Sequence, residues 1–361
     1  MDNDDNGYPD HSLIEHATPE TDNNIPRAEL FDSIVALNQT DQLDQFPDHI
    51  QPTSLAVDII NQCNLTCDHC FWVKQKDSVP ITRNNKILDS VRQAIKKYPS
   101  INNILWYGGE PLMAKRLLLE GFKILGKNNT VITNGTLPLP SWHTQYNVHF
   151  GVSIDGTELL HNQIRGEGSY QKTKKNVLNA LQKKIPIYIL YCINSKNIND
   201  IDIFLKEWAN EKINKVVFTI YVPEYNDISG LELSNQQMSI VSNKLKLLKD
   251  KYPIIDNSNL MLELINPEYG YLFEEYCPMN INHASKKYSV RGSCIHLLNN
   301  GKLRTPCSFG SKANCNKCRS VTMVALYSAT KLGDGDALRG LFNACHPRLN
   351  KLKRLINDSK H

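Results

Sequence analysis

The stretch Cys63-Asn64-Leu65-Thr66-Cys67-Asp68-His69-Cys70 lies just beyond a short apolar run, Leu55-Ala56-Val57-Asp58-Ile59-Ile60. A run of that length and β-branched content predicts a strand, and the loop leaving the C-terminal end of a first strand is where α/β folds place chemistry. Cysteine spacings of four and three let three thiolates converge on one centre. Soft sulfur ligands suit zinc or iron–sulfur clusters, whereas magnesium and calcium take oxygen. A structural zinc site uses four protein ligands, so these cysteines are one short unless His69 joins them. In a cubane cluster the missing ligand leaves one iron open. Both readings stand at this point.

Outward from the loop, short β-branched runs alternate with longer helical stretches, the pattern of repeated strand–helix units with a parallel sheet. Six strands are predicted: Leu55–Ile60, Asn103–Tyr107, Thr130–Thr133, Val148–Ser153, Ile187–Ile193 and Val216–Tyr221. Ile87, Leu88, Val91, Ile95 and Tyr98 recur at helical spacing after the first strand, as do Ile201, Phe204, Leu205 and Trp208 before the sixth. Six such units make a partial barrel or an open doubly wound sheet, and spacing alone does not choose. Beyond Leu231 the alternation gives way to a helix near Ser239–Lys249, a cysteine-rich stretch and a C-terminal helix.

The chain has 361 residues, 41% of them hydrophobic, enough to bury a substantial core. No stretch approaches the ~18 consecutive apolar residues of a membrane span. The start, Met1-Asp2-Asn3-Asp4-Asp5, lacks the basic-then-apolar order of a secretion signal. Ten cysteines in such a chain point to metal or redox chemistry rather than a disulfide framework, and a cytoplasmic protein is expected. The net charge of +4 hides an asymmetry. Residues 1–48 hold twelve Asp or Glu against the single base Arg27, which leaves the remainder at +15. A basic body can attract an anionic partner, but a solvated surface is the simpler reading. No run of bases interleaved with aromatics signals specific nucleic-acid binding. Residues 1–48, rich in Asp, Asn, Thr and Pro, read as a flexible acidic extension with a short helix around Ala28–Leu37.

A second motif, Gly108-Gly109-Glu110-Pro111, follows strand two. Paired glycines permit tight backbone approach to a ligand, and the adjoining carboxylate can accept hydrogen bonds from an ammonium group. Strand three ends in Thr133-Asn134-Gly135. Strand four ends in Ser153-Ile154-Asp155-Gly156, followed by His161 and Arg165. Asn-Gly and Asp-Gly at strand ends are also ordinary turn chemistry. Cys192, inside the apolar fifth strand, reads as a buried small side chain.

Together, over roughly residues 53–222, these pieces resemble the radical S-adenosylmethionine (SAM) superfamily, with its CxxxCxxC and GGEP motifs. The resemblance implies a partial (β/α)6 TIM-like barrel. It implies a [4Fe-4S] cluster on Cys63, Cys67 and Cys70, whose open iron is chelated by the amino and carboxylate groups of SAM. Gly108, Gly109, Glu110 and Pro111 would meet the methionyl amino group and His69 the adenine, at a position more often aromatic in the family. Ser153 would meet the ribose and Arg165 the SAM carboxylate, with Asp155, Asn134 and Asn194 as weaker matches. The reaction it implies is reductive cleavage of SAM to a 5′-deoxyadenosyl radical that abstracts substrate hydrogen, fed by an electron donor such as flavodoxin or ferredoxin.

Cys294, Cys307, Cys315 and Cys318 form a further set, and four thiolates can complete a cluster or a zinc site. Their spacing resembles the SPASM and twitch auxiliary-cluster extensions of peptide-modifying radical SAM enzymes. The later cysteines are too few for two clusters, so one is expected. Cys277 and Cys345 are spare thiols that could replace one of the four. The Cys315–Leu341 segment also has a looser likeness to radical SAM enzymes that attach an adenosyl group to hopanoid lipids. Leu349, Leu352, Leu355 and Ile356, set among Arg348, Lys351, Lys353 and Arg354, read as an amphipathic helix docked on its own domain or lying on a membrane surface. The expected organisation is an acidic extension over 1–48, a radical SAM core over 49–230 and a cysteine-rich, cluster-bearing extension over 231–361. The substrate stays open among peptide, lipid and small metabolite. Adenosyl transfer, lipid modification and a zinc-stabilised non-catalytic binding protein are the alternatives.

Overall fold

The computed structural model describes residues 54–70, 86–99, 101–125, 128–275, 294–297, 301, 309, 313–321, 324, 325 and 328. The expected N-terminal extension, Cys277, Cys307, Cys345 and the amphipathic C-terminal stretch lie outside the described residues.

Seven parallel strands form one sheet in the order β6-β5-β4-β3-β2-β1-β7. They are β1 (Ser54–Ile60), β2 (Asn103–Gly108), β3 (Asn128–Thr133), β4 (Val148–Ser153), β5 (Ile187–Ile193), β6 (Val216–Ile220) and β7 (Cys294–Leu297). The first six are those expected, arranged as an α/β sheet that does not close into a barrel. β7 was not expected. It pairs with β1 in the register Ser54↔Cys294 to Val57↔Leu297, so part of the cysteine-rich extension enters the core sheet.

Helices α1 (Lys86–Lys97), α2 (Lys115–Leu125), α3 (His143–Tyr146), α4 (Glu158–Arg165), α5 (Ser169–Gln182) and α6 (Ile201–Asn210) fall between successive strands. In α6 the expected stripe Ile201, Phe204, Leu205 and Trp208 is fully buried. Each such side chain taken from water contributes about 1.5–3 kcal/mol. Trp106 of β2 meets Phe122 of α2 edge-on at 5.9 Å, and its Nε1–H donates to Asn129 Oδ1 at 3.0 Å. The strands therefore have two unlike faces. In β3 and β5 the residues turned toward the helices are buried and those between them half-buried. A Cβ on Gly151 would strike Ile132 and Tyr188, which places these three on the half-buried inner face.

Beyond β6 come α7 (Asn235–Lys251), α8 (Asn259–Glu263) and α9 (Gly270–Glu275). Helix α7 starts earlier than its apolar spacing suggested because Ser234 and Gln237 form a reciprocal capping box. The free edge of β6 is covered by the segment after α7: Val216 N–H donates to Ile254 O, and Asn257 bonds both ways with the Phe218 backbone. That occupies backbone groups which would otherwise pair with another chain. Among the described residues no helix is long and apolar enough to cross a membrane.

Candidate functional site

Because every strand is parallel, the loops after β1 to β5 gather at one end of the sheet, and the sequence motifs sit on those loops. The paired glycines do something other than expected. Gly109 N–H donates to Ile60 O at 2.6 Å and Glu110 N–H to Gln62 O at 2.8 Å. Gly108 has φ +121°, and a Cβ on Gly109 would lie 2.0 Å from Gln62 O. Their close approach is thus to the chain entering the cysteine loop, which they hold against the end of β2. On its far side the loop is fixed by Asp68 N–H donating to Ile164 O at 2.9 Å and by Lys196 Nζ to Asp68 Oδ2 at 3.0 Å.

Glu110 is fully buried. Its Oε1 accepts from Leu112 N–H at 2.9 Å and Thr133 Oγ1–H at 2.7 Å, and its Oε2 accepts from Asn134 N–H at 2.8 Å. Burial raises its pKa, while these donors and then Arg165 pull it back in part. A carboxylate accepts about four hydrogen bonds, of which these donors fill three.

Cys63, Cys67 and Cys70 are all partly buried. Cys63 Sγ accepts from Leu65 N–H at 3.4 Å and from Asn134 Nδ2–H at 3.8 Å. Burial raises the Cys63 thiol and pushes Cys67 up to about 11, the latter against the pull of Arg165. Each thiol must lose its proton to ligate a metal. Three sulfurs from one loop, with N–H donors on one and a guanidinium acting on another, suit a sulfur-ligated anionic group.

Asp155 joins the remaining candidates. Its Oδ2 accepts from Arg165 Nε–H at 2.6 Å and lies 3.2 Å from His69 Nε2, and its Oδ1 accepts from Cys192 N–H at 2.8 Å. Burial alone would raise this carboxyl, but Arg165 and His69 hold it below its usual range. Arg165 Nη2 is 3.3 Å from His69 Nε2. Sequence reasoning set His69 and Arg165 on separate parts of SAM, and the structure brings them together around Asp155. It also commits His69 Nε2 to that carboxylate, which weighs against a zinc knuckle using that nitrogen. His161 Nδ1 accepts from Asp155 N–H at 3.3 Å, and burial lowers its pKa to about 3. The Asp155 hub went unread because nothing in an Asp-Gly pair separates a turn from an ion pair. The one available signal was Arg165 ten residues on, at the end of an amphipathic helix.

Ser153 ends β4 on the same face as Gly151, opposite Leu190. Asn194 is buried, and its Oδ1 accepts from Lys196 N–H at 3.0 Å, a local turn bond. Cys192 is partly buried at the inner face of β5 rather than sealed in the core.

Of the later cysteines, Cys294, Cys315 and Cys318 fall within the described residues and Cys307 does not. Cys315 and Cys318 flank a short turn fastened to β6: Asn314 N–H donates to Pro223 O, Ile220 N–H to Arg319 O and Val321 N–H to Thr219 Oγ1. Arg319 is buried, donates to the carbonyls of Asn316, Cys318 and Asn266, and lies over the Phe273 ring at 4.6 Å. Cys294 instead opens β7, level with Ser54 at the start of β1. The six residue steps from there to the strand end span roughly 20 Å. The backbone of Cys294 thus opens the edge strand beside β1, while the Cys315–Cys318 turn is bonded to the end of β6.

Residues 57–207 match the model of the Radical SAM superfamily. The sporulation killing factor maturation protein SkfB of Bacillus subtilis is 26% identical over 179 residues, covering 45% of this chain and 41% of that protein. The match thus spans well under half the length of this curated relative. Native anSMEcpe with bound AdoMet superposes with a TM-score of 0.55 at 19% identity, covering 78% of this chain and 82% of that one. Streptococcus suis SuiB bound to precursor peptide SuiA gives a TM-score of 0.55 at 14% identity, covering 82% and 69%. These two structural likenesses are of fold.

Proposed function

The chain carries a radical SAM domain over residues 57–207, and on that premise we propose that it cleaves SAM reductively and abstracts hydrogen from a peptide. The observation that carries this reading is the Cys63–Cys70 loop, pinned among the strand ends with Glu110, Asn134 and Arg165 around it. Cys63, Cys67 and Cys70 would hold a [4Fe-4S] cluster. When bound, cluster and SAM supply one-electron cleavage of the carbon–sulfur bond, giving methionine and a 5′-deoxyadenosyl radical.

This chain's own residues bind and orient. Glu110 offers its remaining acceptor position to the methionyl ammonium, beside the backbone of Gly108, Gly109 and Pro111. Arg165, its charge offset by Asp155, presents its outer nitrogens to the SAM carboxylate, and Ser153 on the inner face of β4 meets the ribose. His69, already held by Asp155, borders the adenine. Cys315 and Cys318 would supply two ligands of an auxiliary cluster near the end of β6. The electron comes from a low-potential donor of the flavodoxin or ferredoxin kind, which fits a reducing, cytoplasmic setting. A peptide substrate is supported by the named relatives, a killing-factor maturation protein and an enzyme seen with its precursor peptide.

The test is anaerobic reconstitution followed by assay for 5′-deoxyadenosine under reduction. Wild type is expected to take up iron and sulfide and to cleave SAM, and the triple variant Cys63→Ala, Cys67→Ala, Cys70→Ala to do neither at that site. Undiminished cleavage by the triple variant overturns the assignment. Deuterium transfer from a labelled candidate peptide into 5′-deoxyadenosine would identify the substrate class.

A further inference from the structure

Asn134 is 7% exposed and held on every side. Its N–H donates to Glu110 Oε2 at 2.8 Å, and its carbonyl accepts from Thr173 Oγ1–H at 2.9 Å. Its side-chain Oδ1 accepts from Thr136 N–H at 2.9 Å and Thr136 Oγ1–H at 2.6 Å. The amide nitrogen therefore faces Asn64 Oδ1 at 2.9 Å and Cys63 Sγ at 3.8 Å. Asn64 Nδ2–H closes the ring by donating to Thr136 Oγ1 at 2.8 Å. A flipped amide would set its NH2 against two donors and its oxygen against the Asn64 carbonyl oxygen and a sulfur, so the ring fixes which atom points at Cys63.

We propose that Asn134 is a positioning residue that donates an N–H···S hydrogen bond to the Cys63 sulfur of the bound cluster and thereby raises that cluster's reduction potential. The inference rests on the three-cysteine reading above. A hydrogen bond to a cluster sulfur withdraws electron density and stabilises the more electron-rich reduced form. The same residue, through its backbone N–H, is bonded to Glu110. The cysteine loop and the proposed ammonium-binding carboxylate are thus positioned by one residue at the end of β3. Leu65 N–H gives Cys63 a second donor at 3.4 Å, which no side-chain substitution removes.

The experiment is a redox titration of the reconstituted full chain, following the cluster whose electron paramagnetic resonance signal changes when SAM is added. At a poise where wild type is half reduced, Asn134→Leu should show a reduced-to-oxidised ratio about tenfold lower, which for one electron is about 59 mV. Iron and sulfide per chain should be unchanged. Asn134→Asp keeps the Thr136 contacts but turns an acceptor toward the sulfur, so its ratio should fall further. Wild type without a SAM-responsive cluster means that the three-cysteine reading has failed. A loaded Asn134→Leu with an unchanged midpoint and spectrum overturns the present inference alone. If Asn134→Leu does not load, the smaller uncharged Asn134→Ala decides: a lower midpoint supports the hydrogen bond, and an unchanged or higher one overturns it.

Discussion

Arg165 Nε and Asp155 Oδ2 stand 2.6 Å apart, and both side chains are buried. The pair ties the last turn of α4 to the end of β4, and the Cys192 backbone completes the carboxylate's contacts. Asp155→Asn leaves a buried guanidinium without its counter-charge, and removing one partner of such a pair costs about 3–5 kcal/mol. Chemical denaturation should show that loss. The double variant Asp155→Leu, Arg165→Met should recover much of it while losing SAM affinity, which separates the pair's structural part from its binding part.

His161 gives the protein a distinct acid sensitivity. Its folded pKa lies near 3, lowered by burial and then by Arg165, against about 6.5 in an unfolded chain. Between those values the unfolded chain takes up a proton that the native one refuses, so stability falls as pH drops, by about 1.4 kcal/mol per unit. His161→Leu should remove that slope in denaturation curves measured from pH 6 to pH 4. Asp155 acts in a lower window. Its depressed carboxyl contributes stability above about pH 3.9 that is lost only as pH falls through its folded value.

Gly109→Ala forces a Cβ to within 2.0 Å of the Gln62 carbonyl oxygen, a backbone atom that cannot rotate aside. The chain entering Cys63 must shift, at about 1–3 kcal/mol. The expected outcome is native-like circular dichroism with iron uptake at the three-cysteine loop mostly lost. Normal uptake would mean that the loop tolerates displacement and that the close packing is incidental.

Cys294 and Cys318 should behave differently. Cys318→Ala removes a thiol from the turn fastened to β6, and iron beyond the first cluster's share should fall. Cys294→Ala changes a residue paired with Ser54 at the other end of the sheet and should leave iron and sulfide unchanged. Equal losses from both would restore Cys294 to the auxiliary set.

The six core strands were legible because each is a compact run rich in β-branched or aromatic residues, and their observed limits fall within two residues of those read from sequence. β7 was not, since Cys-Ile-His-Leu is too short to show a period and its partner, β1, lies some 240 residues earlier. The cysteine loop could be located from spacing after the first strand, but spacing alone left its metal open between zinc and a cluster. Ionic and amide contacts were not: Arg165 with Asp155, and Asn134 with Cys63, depend on which strand ends become neighbours. The role of Gly108 and Gly109 was half legible. Sequence indicated a close approach there, but not that the approaching group is the chain's own backbone.

Apart from the exposed Lys196–Asp68 pair, the straps on the cysteine loop come from residues scattered far along the chain: Gly109, Asn134, Asp155, and Ile164 with Arg165. A nascent chain must extend about a hundred residues past Cys63 before the last of these exists. At ~5–20 residues per second that takes roughly 5–20 s. During that interval the three thiols lack their cradle. On the proposed three-cysteine reading, cluster loading belongs after synthesis of the fourth strand–helix unit, and a chain truncated before Arg165 would be a poor acceptor even with every cysteine of the loop present.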